Sequence, residues 1–144
     1  MLATISQRLK HYMPSVVDSE EENVSTKAAV MLLLHGDPLN PHIILTERAK
    51  HLNHHAGEVA FPGGMKESCD QNLLATALRE TEEEIGLASD KIELLGMLPS
   101  DSPRLSMLRV APFMGWVESP YHLQSDPSEI AAVFNFPLNL LLDT

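Results

Sequence analysis

The chain has 144 residues and carries twenty Asp and Glu against ten Lys and Arg, a formal net charge of −10. That length is enough for one buried core but not two, and the acidic balance argues against non-specific binding to nucleic acid or to an acidic membrane, which needs a basic footprint. A single cysteine, Cys69, excludes an internal disulfide and fits a reducing compartment.

In chain order, "MLATISQRLKHYM" aligns Ile5, Leu9 and Tyr12 as a short amphipathic helix and lacks the apolar stretch of a secretory signal. The cytoplasm is therefore the expected compartment. "DSEEENVSTK" (18–27) is a polar break, so residues 1–26 are expected to form a helix and polar segment ahead of one domain over 27–144. "AAVMLLLHG" (28–36) reads as a buried strand, "DPLNP" as a turn and "HIILTER" (42–48) as a second strand, giving a hairpin. Such apolar runs are far too short to span a membrane. After "GEVAFPGG" the pattern predicts a helix from about Asp70 to Leu87, with Gly86 at its end. "KIELLGML" (91–98) reads as a strand and "PSDSPRLS" as a loop. "MLRVAPFMGWV" (107–117) is a further strand, and Pro112 within it predicts an edge position or a bend. "AAVFNFPLNLLL" (131–142) runs from strand into short helix. This order suggests an α/β sandwich rather than a doubly wound sheet.

The helix carries an anomaly. "ALRETEEEIGL" (77–87) places Glu80, Glu82, Glu83 and Glu84 near its end, where like charges one turn apart repel and the macrodipole disfavours acids. At about 100° per residue, Leu74, Ala77, Leu78, Thr81 and Ile85 share a stripe that faces the core. Glu80, Glu83 and Glu84 fall on the opposite side, with Arg79 beside them and Glu82 toward solvent. A solvated face accounts for most glutamate-rich helices. The preceding "FPGG" (61–64) favours a second account, because glycine lets backbone approach a ligand closely. Three carboxylates and a backbone carbonyl are the oxygen donors that a hard cation such as Mg²⁺ takes, and such a site suits phosphoryl chemistry.

"GGMKESCDQNLLATALRETEEEIGL" resembles the Nudix box, written G-x5-E-x7-R-E-U-x-E-E-x-G-U with U aliphatic. Arg79, Glu80, Glu83, Glu84, Gly86 and Leu87 are in register, with Thr81 at a U position. Asp70 stands where the pattern has Glu, and eight residues rather than seven separate it from Arg79. The glutamate that braces this arginine in the family is thus missing, which puts that ion pair in question. The resemblance implies an α/β/α sandwich with a mixed sheet. It also implies divalent metal, Mg²⁺ or Mn²⁺, on Glu80, Glu83, Glu84 and the carbonyl of Gly64 or Gly63, and hydrolysis of a nucleoside diphosphate linked to another group. Arg79, Glu83 and Glu84 are then candidate catalytic residues. Glu129, an acid beyond the box, is a candidate to complete the metal site or act as base, and Glu58 is a lesser one.

Upstream, "LTERAKHLNHHAGEVAFPGG" (45–64) is similar to the signature of the coenzyme A pyrophosphatase branch. Leu45, Thr46, Ala49, Gly57 and "FPGG" match, while Arg48 replaces a hydroxyl residue and Asn53 stands where the signature has arginine. The branch implies CoA or a CoA derivative as substrate, cleaved to 3′,5′-ADP and a phosphopantetheine product. Arg48, with Gly63 and Gly64, is the candidate substrate contact; Lys50, His51, His54 and His55 are further cations near it. "APFMGWV" (111–117) and "PSEIAAVFNFPLNLLLD" (127–143) also look like this branch, whose members run on further, so C-terminal elements are expected to be lacking here. Other Nudix substrates (a dinucleoside polyphosphate, a nucleotide sugar, ADP-ribose or NADH) and a non-catalytic nucleotide-binding module stay open, as does the oligomeric state.

Overall fold

The computed structural model describes residues 26–54, 56–98, 108–118 and 122–142. The expected N-terminal helix and the loop "PSDSPRLS" lie outside them. Strand β1 (Thr26–Asp37) organises the sheet. It turns tightly at Pro38 and Leu39 into antiparallel β2 (Asn40–Arg48), as the hairpin signal predicts, with the Leu39 N–H donating to Asp37 Oδ1 at 2.9 Å. Short strands β3 (Val59–Ala60) and β4 (Gly63–Met65) follow, then helix α1 (Leu73–Ile85) and a single 3₁₀ turn at Ser89–Lys91. Strands β5 (Ile92–Met97), β6 (Leu108–Val117) and β7 (Ile130–Pro137) and the short helix α2 (Leu138–Leu142) complete the described chain. The seven strands form one mixed sheet, in which β1 and β6 are parallel and the other pairs antiparallel.

Alternation along the strands supplies two cores. Ala29, Met31, Leu33, Ile44, Phe113 and Val117 point to the face covered by Leu73, Ala77 and Ile85 of α1. Leu32, Leu34, Ile43, Met114 and Trp116 point the other way, where Leu138 of α2 joins them. Central strands buried on both faces read as continuous apolar runs, which is why "AAVMLLL" is so uniformly hydrophobic. Among the described residues no helix is long and apolar enough to cross a membrane.

Two expectations are corrected. The helix starts at Leu73 rather than near Asp70, because Asn72 caps it by accepting the Ala75 N–H at 2.8 Å. Gly86 ends it as expected, left-handed at φ 73° with its N–H on the Glu82 carbonyl. Strand β6 lies inside the sheet, between β1 and β5, and not at an edge. Pro112 is tolerated there because its carbonyl faces past the end of β5, accepting the Leu98 N–H at 2.8 Å. Its missing N–H would point the same way and costs β1 no hydrogen bond.

Candidate active site

The site is built where β1 changes partner. Its first residues pair with β4 (Ala28 with Met65, Val30 with Gly63) and its last with β2 (Leu34 with Ile43). Strands β2 and β4 therefore fork away from a shared neighbour. A cleft of about 380 Å³ opens in the fork, reached by Thr46, Arg48, Glu58, Phe61, Gly63, Gly64 and Glu84 among others.

Strand β4 must be glycine at two positions for different reasons. A Cβ on Gly63 would collide with the Ala29 carbonyl oxygen and stand 2.7 Å from Val30 Cα, both backbone. A Cβ on Gly64 would stand 2.6 Å from Glu80 Cδ and 2.8 and 2.9 Å from its carboxylate oxygens. The absent Gly63 side chain lets β4 lie against β1, and the absent Gly64 side chain leaves room for the Glu80 carboxylate. Glu84 reaches β4 as well: it is 4% exposed, and the Gly63 N–H donates to its carboxylate. The helical wheel had set Glu84 opposite the core; instead it is buried at the edge of the helix's inner face.

Arg79 holds the remaining acids. Its Nε donates to Asp70 Oδ1 and its Nη2 to Asp70 Oδ2, both at 2.9 Å, and Nη2 also reaches the Met65 carbonyl at 3.1 Å. Nη1 donates to Glu80 Oε1 at 2.9 Å and to both Glu83 oxygens at 3.3 Å. Asp70 is buried and also accepts the Glu67 N–H and the Thr76 hydroxyl, each at 2.9 Å. The brace that the motif count left in question is thus made by Asp70. One extra residue of spacing accompanies a side chain one methylene shorter.

The C-terminal segment closes on the same place. The carbonyls of Glu84 and Ile85 accept N–H groups of Asp126 and Gln124 at 2.9 and 2.8 Å, and the Glu129 carbonyl accepts the Ala49 N–H at 2.8 Å. Glu129 is brought near enough for its charge to act on both Glu80 and Glu84. Burial, then the negative charges of Glu80 and Glu129, push Glu84 up to about 8, while the Gly63 N–H and Arg48 pull it down. Burial also raises Glu80, against the pull of Arg79.

The structure therefore groups Glu80, Glu84, Glu129, Gly63, Gly64 and Arg48. Glu83 stands at the rim, its side chain 55% exposed on Arg79. Lys50, His51, His54 and Asn53 are exposed and do not line the cleft, and His51 is tied to the Ser128 carbonyl at 2.9 Å; His55 lies outside the described residues. Glu58, weighted low on sequence, lines the cleft. Asp70 was missed, and its signal was its position six residues after Gly64.

The donor set suits a hard divalent cation. Carboxylates and a carbonyl are what Mg²⁺ and Mn²⁺ take. The cradle that a Gly64 Cβ would fill is already lined by a carboxylate, and repulsion among Glu80, Glu84 and Glu129 is what a cation relieves. Among the described residues no three His, Cys, Asp or Glu side chains are gathered to hold an ion, since Arg79 draws Glu80 and Glu83 to itself.

Comparison with known proteins gives the family. The NUDIX domain model matches residues 25–144. The uncharacterized Nudix hydrolase NudL of Enterobacter sp. (strain 638) is 41% identical over 100 residues, covering 69% of this chain and 51% of that protein. NudL of Citrobacter koseri is 36% identical over 119 residues, covering 82% and 61%. The chain thus spans between half and two thirds of these relatives' length. Among solved structures, a C. elegans Ap4A hydrolase binary complex superposes with TM-score 0.65 at 16% identity, covering 82% of this chain and 84% of that one. The NUDIX domain of Shewanella oneidensis NrtR complexed with ADP ribose does so with TM-score 0.58 at 19% identity, covering 88% and 83%. Those likenesses carry the fold, and with a domain match over residues 25–144 the chain belongs to the Nudix family.

Proposed function

We propose that the protein hydrolyses the pyrophosphate bond of a nucleoside diphosphate-linked substrate, and that this substrate is CoA or a CoA derivative, cleaved to 3′,5′-ADP and a phosphopantetheine product. The observation that carries the reading is the burial of Glu84 beside Gly63, with Glu80 over Gly64 and Arg48 in the same cleft. Glu80, Glu83, Glu84 and the Gly64 carbonyl hold Mg²⁺ or Mn²⁺, which when bound neutralises charge on the phosphate oxygens. Arg79, fully engaged with Asp70 and the helix acids, acts as a positioning residue. Arg48 meets a phosphate oxygen from the β2 side; among the described residues its buried Nε has no hydrogen-bond partner. Water attacks one phosphorus, the bridging oxygen leaves on the other, and Glu129 accepts the proton. The cytoplasm is the compartment proposed for this chemistry, since a single cysteine suits a reducing environment.

A second substrate reading rests on Asn53, which stands exposed where the branch signature has arginine. It assigns ADP-ribose, the ligand named for one structural neighbour above, or a dinucleoside polyphosphate such as the Ap4A after which the other is named. Incubation with Mg²⁺ or Mn²⁺ and a panel of CoA, ADP-ribose, NADH and Ap4A decides. CoA turnover that Glu84→Gln removes supports the first reading; preferred turnover of another member selects the second. Saturable binding without product from any of them leaves a non-catalytic nucleotide module.

A further inference from the structure

The cleft in the fork has two kinds of lining. Arg48, Glu58 and Glu84 are charged; Ala28, Val30, Phe61, Met65 and Val110 are an apolar wall, in which Met65 and Val110 flank Ala28 as its register partners on β4 and β6. Burial does not explain all of this wall. Met65 is 45% exposed, one of the few large apolar side chains left to solvent, and it sits on β4 directly after Gly64. Its backbone is fixed twice, by pairing with Ala28 and by the Arg79 hydrogen bond to its carbonyl, so the side chain is presented at a set place.

The geometry points to an apolar subsite in which Met65 and Phe61 receive the uncharged, non-nucleoside arm of the substrate, on the far side of the diphosphate from the nucleoside. This deepens the proposed function and rests on it. Nothing in the wall's side chains donates or accepts a hydrogen bond, so it has no means of reading the edge of a base, whose recognition depends on paired polar groups. Four of the five side chains are aliphatic or thioether, and the flexible, polarisable methionine adapts to the irregular surface of a flexible chain. The neighbouring charged lining fixes one end of the arm at its phosphate, and the volume suits one such group, within the range of small-molecule sites. A fully charged ligand would leave this wall dehydrating nothing.

The test measures binding of the two product halves separately, by calorimetry on the purified protein with Mg²⁺ or Mn²⁺ present: 4′-phosphopantetheine and 3′,5′-ADP. Met65→Ser is expected to weaken 4′-phosphopantetheine roughly tenfold or more, the scale of one lost contact in an apolar pocket, and to leave 3′,5′-ADP unmoved. Met65→Leu, which keeps the apolar surface, is expected to retain the wild-type affinity for both. If Met65→Ser weakens 3′,5′-ADP instead, or neither half, the subsite assignment is overturned while the substrate reading stands. If neither half binds the wild-type protein, the substrate reading falls and takes the subsite with it.

Discussion

Asp70 and Arg79 are joined by two parallel hydrogen bonds, Nε to Oδ1 and Nη2 to Oδ2, each 2.9 Å long. This fork is the geometry in which a guanidinium and a carboxylate bind most strongly. It anchors the loop ahead of α1 to the helix that carries the acids. The Arg79 guanidinium, helped by the Glu67 N–H and the Thr76 hydroxyl and opposed by burial, holds the Asp70 carboxyl well below the usual carboxylate range. A carboxyl depressed on folding contributes stability above its unfolded value, and that stability is lost as pH falls toward the folded one. Asp70→Asn should therefore lower stability at neutral pH by roughly 2–4 kcal/mol. The gap from wild type should narrow once pH drops below the unfolded value of 3.8. Urea denaturation at several pH values checks both. Asp70→Glu restores the residue type of the family motif but not its spacing, and overpacking should cost it about 1–3 kcal/mol.

The two glycines of β4 should separate stability from function. On Gly63 a methyl group meets backbone of β1, which cannot give way without parting the strands. Gly63→Ala should cost about 3 kcal/mol and lower the unfolding midpoint. On Gly64 it meets only the end of a flexible carboxylate. Gly64→Ala should change stability by less than about 1 kcal/mol while displacing Glu80, so that Mn²⁺ affinity and turnover fall together. Equal destabilisation by the two substitutions would contradict this account.

Glu84 presents the opposite trade. Its carboxylate is buried among other acids, so a neutral amide of the same shape should fit the metal-free fold at least as well. In chelator-treated buffer Glu84→Gln is expected to match or exceed wild-type stability by about 1 kcal/mol. With cation and substrate its kcat should drop by on the order of 100-fold or more. A variant that lost stability and kept turnover would mean that the buried acid is structural.

Much of the fold could be read along the chain because its strands are apolar on both faces and its helix is closed by Gly86. The family motif was legible too, since Arg79, Glu80, Glu83 and Glu84 keep fixed intervals on one helix. What failed were statements that depend on a partner. An ideal helical wheel treats every neighbour alike, and it sets Glu84 outside because it cannot see the facing strand β4, where the Gly63 N–H donates to that carboxylate. A residue count set Asp70 aside because it tracks intervals, not reach. Pro112 suggested an edge because the rule against interior proline ignores which way one missing N–H points. In each case the deciding quantity was a direction in space.

Glu129 makes the sharpest test of the chemistry. It lies outside the helix, at the foot of β7, and is delivered to the acid cluster by the hydrogen bonds from Gln124 and Asp126 to the end of α1. Its charge bears on Glu80 and Glu84, yet the motif gives it no place among the ligands. If it accepts the proton of the attacking water, Glu129→Gln should reduce kcat by about 100- to 10,000-fold at neutral pH, the usual worth of a general base. Mn²⁺ affinity, measured by calorimetry, should change far less than in Glu84→Gln. A residue that completes the metal site behaves otherwise: affinity falls with kcat, and excess Mn²⁺ restores much of the rate. The two patterns cannot be confused, and the second would move Glu129 from proton acceptor to ligand.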